Sequence, residues 1–531
     1  MSPRRIDRRE LLRRAGIGAA TVSASAAAGC GSNDGAATTT AAVRTQTAST
    51  PSDAATRAKT SAAIRAARTR KVKRGEAPNL LLVIIDSIRA DHLGSYGRKG
   101  AHTPNLDALA RESLRFTHVY PEAFPTGPAR ATMYGGRRLF PFGDWRGPPP
   151  DMPVTPGWQD IPVQNLVTTL RGAGWFTALA VDTPWVLVPS QKPFQQALHR
   201  YHPVPGQTGT VTHPASLISD AELARHVPPK ILHSSSGQKM RQYLANQVGR
   251  RSEADYLPAK VFSAGMRLLE EANRQKKPFA LMLDCFDPHE PWDPPAKYIR
   301  MHGGSLDRTW DPGTVLNGTA HTNGLGPDDV AQMKALYRAE LSMSDHWFGN
   351  FMQRFHELGL ERETLILFLS DHGFLLGERG YVAKMATQCH PELIHVPLMI
   401  RSPDGREAGR TTDYLTQTQD VATTLLHAGT VRRPHFMDGQ NLLPLLEGRS
   451  GKHKLKRREY VTGAYSSIVF ARDRRWSYMG DNQNADPQLF DHKRDPHELH
   501  DLAAARPDRA RRMYERMIVR DNGGRALPRF A

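Results

Sequence analysis

Four short stretches of the 531-residue chain hold side chains of the types that move anionic groups. NLLLVIID ends on Asp86, and LFLSDHG carries Asp371 and His372 side by side. Two carboxylates and one imidazole form a donor set that a hard divalent cation accepts. A hydroxyl beside such a cation has its pKa lowered and becomes a nucleophile at neutral pH. FPTGPARATMYGG offers that hydroxyl in Thr126. Pro125, Thr126, Gly127 and Pro128 break any strand, and ARATMY then starts a helix, so Thr126 falls near the helix N-terminus. The unpaired N–H groups and positive dipole at such an end suit attack on an anionic ester. DPHEP adds His289 in a loop stiffened by Pro on both sides.

Positioning these groups requires strands that stop where they stand. NLLLVIID, WFTALAVD, PFALMLD, TLILFLSDHG and VPLMIR are apolar runs, and four end in polar residues: Asp86, Asp182, Asp284 (with Asp287 and His289 beyond) and Asp371-His372. TPNLDALARESL, QNLVTTLRGAG and DVAQMKALYRAELSMSDHWFGNFMQRFHELG carry helical patterns between them. Buried strands alternating with amphipathic helices predict an α/β fold, a large mixed, mostly parallel sheet flanked by helices. Ligands of such sheets sit beyond the carboxyl ends of the strands, where these polar residues fall. Residues 203–257 are polar and turn-rich and read as an insertion. From about residue 455, EYVTGAY, SIVFARDRRWSYM and QLFDH read as short antiparallel strands before a last helix, PDRARRMYERMIV. The expected organisation is therefore a catalytic domain over 79–454 and a small C-terminal α+β subdomain over 455–531.

The formal net charge of +18 is unevenly spread. Residues 1–74 hold 15 Lys/Arg against 4 Asp/Glu, so +11 of it lies there. The remaining +7 shows no Arg/Lys stripe interleaved with aromatics, which argues against nucleic acid and leaves a mild bias toward small anions. DRRELLRRAG followed by the mildly apolar GIGAATVSASAAAGC has the form of a twin-arginine export signal. Its end, Ala27-Ala28-Gly29-Cys30, looks like a bacterial lipobox with Cys30 as the lipidated residue, against the alternative of a plain export signal. The signal is expected over 1–30 and a flexible basic spacer over 31–78, placing the protein at the cell envelope, lipid-anchored to the outer face of the cytoplasmic membrane. No later stretch approaches the roughly 20 apolar residues that span a bilayer. Beyond Cys30 only Cys285 and Cys389 remain, too few for a disulfide framework or a Cys-based zinc site, and whether they pair is left open.

NLLLVIIDSIRADHLGSYG, HTPNLDALARESLRFTHVY, FPTGPARATMYGG, DPHEPWDPP, LFLSDHGFLLGERG, HPELIHVPLMI, TQDVATTLLHAG, DGQNLLPLLEG and LFDHKRDPHELHDLA occur in that order. The ordered set resembles the sulfatase family of the alkaline phosphatase superfamily from Asn79 to about residue 505, and is close in motif to phosphonate monoester hydrolases. The resemblance implies one divalent metal ion, calcium by family habit with manganese, magnesium or zinc possible, held by Asp86, Asp371, His372 and Thr126. Thr126, Pro128, Arg130 and Gly136 match the spacing of the family's nucleophile motif, in which a Cys or Ser is converted to formylglycine. Threonine cannot become that aldehyde, because its β-carbon carries a methyl group. A sulfo-threonine would have to be cleared by attack on sulfur, whereas phosphoryl chemistry meets no such obstacle. Arg130, one helical turn on, would stabilise the alkoxide or the transferring group. By the same resemblance His289 protonates the departing oxygen and Lys384 contacts the oxyanion.

Three positions depart from the family pattern. Ser87 stands where a second acidic residue often follows the first Asp, as it also does not in phosphonate monoester hydrolases. Asp182-Thr183-Pro184-Trp185 replaces Gly-Lys-Trp-His, leaving Thr183 as a hydrogen-bond donor, and Arg379 replaces a His. The leading expectation is an exported hydrolase of small sulfate, phosphate or phosphonate esters acting through Thr126 and a covalent intermediate. A phospho-group transferase at the membrane surface and a non-catalytic binding protein of the same fold are the alternatives.

Overall fold

The computed structural model describes residues 58–62, 71–140, 161–183, 192–227, 229–307, 318–319, 325–450 and 455–527. The expected signal with Cys30 and most of the spacer lie outside them. Eight strands build the main sheet: β1 (Asn79–Ile85), β2 (Leu114–Phe116), β3 (Phe176–Val181), β4 (Arg200–Pro203), β5 (Phe279–Cys285), β6 (Thr364–Leu369), β7 (Leu398–Arg401) and β8 (Thr411–Thr412). Their order is β8-β2-β7-β6-β1-β5-β3-β4. β6, β1, β5, β3 and β4 run parallel, while β7 is antiparallel to both β6 and β2. All five apolar runs are strands of this one sheet.

Both faces of the sheet are covered, which is why β1 is apolar at every position past Asn79 rather than alternating. Leu80, Leu82 and Ile84 face one core with α2 (Thr126–Gly135), α3 (Leu166–Gly172) and α6 (Asp420–Ala428). Leu81, Val83 and Ile85 face the other, with α1 (Pro104–Arg111), α4 (Leu257–Asn273) and the 31-residue α5 (Pro327–Glu357). That is the two-residue period of a strand read by two different cores. Ile84 is wholly buried, and trimming it to Ala costs about 2–5 kcal/mol through lost contacts and a residual cavity. The stretch read as an insertion holds a helix, Ser235–Asn246, whose Met240 and Tyr243 are buried against the second core.

A second sheet, of β9 (Val461–Tyr465), β10 (Ile468–Arg472), β11 (Trp476–Asp481) and β12 (Gln488–Asp491), is antiparallel in sequence order and precedes a helix at Pro507–Met513. It abuts the segment that leads into α2. Ala123 forms a bridge with Ala464, and the Phe124 ring lies 5.0 Å from that of Tyr465 and 6.3 Å from that of Phe470. Cys285 and Cys389 are both free and buried, so they do not pair. Among the described residues no helix is long and apolar enough to cross a membrane.

Candidate active site

Parallel register aligns the strand ends. Ile84 of β1 pairs with Asp284 on one side and Leu369 on the other, so Asp86 and Asp371 leave the sheet side by side. The Asp86 amide donates to the Cys285 carbonyl at 2.9 Å. Ser87 then turns the chain with φ of 58°, a left-handed conformation that costs a non-glycine residue about 1–3 kcal/mol. Its surroundings hold it there: the Tyr337 hydroxyl donates to the Ser87 carbonyl at 2.8 Å, and the Ser87 amide donates to Asp371 Oδ1 at 3.0 Å. The Ser87 hydroxyl donates to Asp86 Oδ1 at 2.6 Å. Position 87 thus orients the neighbouring carboxylates instead of adding one.

Thr126 is the first residue of α2, as expected from its sequence, and it is buried. At the other end Gly136, with φ of 64°, closes the helix by donating its amide N–H to the Thr132 carbonyl. A Cβ there would come within 2.9 Å of Met437 Sδ, so both the backbone and the packing ask for glycine. Thr126 Oγ1 lies 3.3 Å from His372 Nε2. His372 Nδ1 lies 2.8 Å from the Gly373 carbonyl and must donate to it, so Nε2 carries the lone pair and the Thr126 hydroxyl is the donor between them. Burial pushes the His372 pKa down to about 4, which keeps the ring neutral.

His372 Nε2 is 3.5 Å from Asp371 Oδ2 and 3.9 Å from Asp86 Oδ1. Donor atoms of Asp86, Asp371 and His372 all lie within 4.8 Å of one another, and all three residues are buried. Arg130 enters the same pocket from α2. Its Nη2 contacts Asp86 Oδ2 at 3.1 Å, and Nη1 stands 2.6 Å from Asp371 Oδ2. Neither Nη1 nor that oxygen has a hydrogen bond of acceptable angle among the described residues. Asp284 takes the other edge of the guanidinium, Nε to Oδ2 at 2.9 Å and Nη2 to Oδ1 at 2.7 Å. Three carboxylates against one guanidinium and a neutral imidazole leave a formal −2 among buried side chains. Accordingly burial, followed by the Asp371 charge, pushes Asp86 well above the usual carboxylate range. Converging lone pairs of two carboxylates and an imidazole, with a formal −2 balance around them, fit a divalent cation.

His289 and Lys384 stand at the rim. The His289 ring stacks on Phe286 with centroids 3.7 Å apart, and Nδ1 donates to the Glu290 carbonyl at 2.6 Å. Lys384 Nζ lies 2.8 Å from His289 Nε2, and 2.8 and 3.0 Å from the two Glu290 carboxylate oxygens. Nε2 is therefore an acceptor. Burial, with Lys384 beside it, holds His289 well below the ordinary histidine value, against the upward pull of the Glu290 carbonyl and the Asp371 charge. Thr183 is buried, and its Oγ1 has no hydrogen-bond partner among the described residues. Arg379 is placed elsewhere: its guanidinium meets Glu392 at 2.6 Å and the His497 carbonyl at 3.3 Å.

Three residues that sequence reasoning did not assign to the site belong to it. Asp284 was visible as a strand-end carboxylate, but its pairing with Arg130 was not. Ser87 was visible only as the residue standing where the family often has a second carboxylate, and Glu290 gave no signal beyond adjacency to His289.

A family model described as sulfatase matches residues 78–431. The chain belongs to the sulfatase family. As a sulfatase-family hydrolase of sulfuric or phosphoric esters it also matches, over residues 377–518, a model described as the N-sulphoglucosamine sulphohydrolase C-terminal region. It is similar to the choline-sulfatase of Rhizobium meliloti (strain 1021), 26% identical over 80% of this chain and 82% of the relative. It is similar too to a multifunctional alkaline phosphatase superfamily protein of Trinickia caryophylli, 25% identical over 80% of this chain and 91% of the relative. The phosphonate monoester hydrolase of Agrobacterium radiobacter shares its fold, with a TM-score of 0.59 at 21% identity over 83% of this chain and 95% of that one.

Proposed function

We propose that this sulfatase-family enzyme is an exported, cation-dependent hydrolase of phosphate or phosphonate esters that uses Thr126 as its nucleophile. The observation that carries the reading is Thr126 Oγ1 at 3.3 Å from His372 Nε2, inside the Asp86–Asp371–His372 cluster. Those three residues with Thr126 would hold a divalent cation, which would lower the pKa of the Thr126 hydroxyl and offset the pocket's negative charge. Thr126 Oγ1, its proton released to solvent, attacks phosphorus; a P–Oγ1 bond forms as the bond to the departing oxygen breaks. Arg130 lends positive charge beside the oxygen that attacks. Lys384 and His289 supply the leaving group's proton. At rest it sits on Lys384, and Nε2 of His289 passes it to the departing alkoxide. Water then attacks phosphorus, giving a proton back to the Lys384–His289 pair; the P–Oγ1 bond breaks, and Thr126 Oγ1 takes up a proton from solvent as phosphate or phosphonate leaves.

The Thr126 methyl group favours phosphorus over sulfur, since it blocks the aldehyde route by which a sulfated hydrate collapses. The assay that tests this sets aryl sulfate, phosphate monoester, phosphate diester and phosphonate ester side by side with added Ca, Mg, Mn or Zn. Phosphorus esters are expected to turn over, and Thr126→Ala to fall to background. Background rates for every substrate in both proteins would remove the enzyme reading, and aryl sulfate as the best substrate would remove the phosphorus preference. Export by the twin-arginine route and a lipid anchor on Cys30 complete the proposal, resting on DRRELLRRAG and Ala27-Ala28-Gly29-Cys30. Cys30→Ala should release the protein from the membrane fraction; persistence there sinks the anchor.

A further inference from the structure

We propose that Asp284 is the positioning residue of Arg130 and its dedicated counter-charge, so that Asp86 and Asp371 stay available to a cation. The proposal rests on reading the pocket as a cation-assisted site. A guanidinium is a rigid planar fork, and two parallel hydrogen bonds to one carboxylate fix its position and its plane together. Asp284 makes that two-point contact, at 2.9 and 2.7 Å, on the Nε–Nη2 edge. Neither Asp284 oxygen has another hydrogen-bond partner among the described residues. Asp86 makes a single, longer contact of 3.1 Å, and Asp371 meets Nη1 without hydrogen-bond geometry.

The scaffold beneath Asp284 is stiff. It lies in β5 between β1 and β3, with Ile84 and Val181 as register partners, and both it and Arg130 are buried. Locking the Nε–Nη2 edge turns Nη1 toward Asp371 and the pocket where Thr126 stands. Without Asp284 a buried, permanently charged guanidinium is left with only Asp86 and Asp371 as partners. Already 3.1 Å from Asp86 and 2.6 Å from Asp371, it would turn into full hydrogen-bond geometry with them and occupy the oxygens a cation needs.

The test uses the full-length protein, wild type against Asp284→Asn, Asp284→Glu, Arg130→Met and the Arg130→Met/Asp284→Asn double variant. Mn2+ affinity of cation-free protein, read by electron paramagnetic resonance, should fall at least tenfold in Asp284→Asn and recover in the double variant, where no loose guanidinium remains. A purely structural loss would not recover on removing a second side chain. With p-nitrophenyl phenylphosphonate, kcat in Asp284→Asn should fall about 10–100-fold at near-constant KM, and the double variant should be no slower than Arg130→Met alone. Asp284→Glu keeps the charge and should retain more Mn2+ affinity than Asp284→Asn, which guards against a variant that merely misfolds. Equal Mn2+ affinity in wild type and Asp284→Asn, including no binding by either, overturns the assignment. So does a double variant that binds no better than Asp284→Asn. A wild type that turns over no ester while the Mn2+ series behaves as expected sinks the hydrolase reading and leaves Asp284 in its role.

Discussion

Ser87 donates its hydroxyl to Asp86 Oδ1 at 2.6 Å, from a residue held in the left-handed region of backbone space. The side chain that stands in place of a second carboxylate thus aims the first one. Groups that orient cation ligands are typically worth about 10–100-fold in affinity or activity. Ser87→Ala should therefore weaken cation affinity by about tenfold, measured by titration of cation-free protein. Ser87→Gly should lose as much, despite relieving the backbone, because the hydroxyl is the operative part. Unchanged affinity in both would reduce Ser87 to a turn residue.

Thr126→Ser keeps the hydroxyl, the helix position and the contact to His372. It should retain phosphoester turnover within about tenfold of wild type, while Thr126→Ala loses it. Intact-protein mass spectrometry after rapid acid quench should find a phosphoryl or phosphonyl adduct on the wild type that is missing from Thr126→Ala. A wild type that turns over without any adduct points to direct attack by water.

Lys384 Nζ and His289 Nε2 are joined at 2.8 Å, with the lysine as donor because His289 Nδ1 already donates to the Glu290 carbonyl. If this pair protonates the leaving oxygen, its removal matters most where the leaving group is basic. Lys384→Met should cost about 10²–10⁴-fold with an alkyl phosphonate ester and far less with a p-nitrophenyl ester. A uniform loss across leaving groups would assign Lys384 to anion binding alone.

Removal of the cation should abolish turnover and lower the melting temperature together, because the pocket then keeps its unbalanced negative charge. Dialysis against a chelator followed by differential scanning calorimetry, then re-addition of Ca, Mg, Mn or Zn, measures both. Activity that survives complete chelation contradicts the cation-assisted reading.

Glu498 lies between Arg472 and His390, with Oε2 at 2.8 Å from His390 Nδ1. Burial alone would raise its pKa, but the Arg472 and His390 charges bring it down to about 2. A carboxylate with a depressed folded pKa stabilises the fold above its unfolded value of 4.5, and that contribution is lost as pH falls toward 2. Glu498→Gln should cost roughly 3 kcal/mol at neutral pH, since it leaves Arg472 buried without its partner. The variant's stability should also fall less steeply between pH 4.5 and 2 than the wild type's. Parallel stability-versus-pH curves would show that Glu498 contributes nothing to the acid limb.

The apolar runs made the five strands readable, because a strand buried on both faces has nowhere to put a polar residue. They did not reveal that β7 runs against its neighbours, since composition is blind to direction. Thr126, Asp86, Asp371 and His372 were legible because each sits at a break between an apolar run or turn and the next element. The pairing of Arg130 with Asp284 was not, for it joins residues 154 positions apart through the order of strands in the sheet. Arg379, expected to keep positive charge at the anion pocket, pairs with Glu392 at 2.6 Å. Gly377 and Arg379 both adopt positive φ, and the resulting turn carries the side chain to Glu392.

The second sheet touches the reaction centre at two places far apart in the chain. β9 exchanges backbone hydrogen bonds with the segment before Thr126, Ala464 amide to Glu122 carbonyl at 3.0 Å and Phe124 amide to Ala464 carbonyl at 3.4 Å. The Tyr465 hydroxyl donates to the Lys384 carbonyl at 3.3 Å. A chain that has passed residue 372 already carries Asp86, Thr126, Asp371 and His372, whereas the strand that bonds to the segment before Thr126 comes only with Val461–Tyr465.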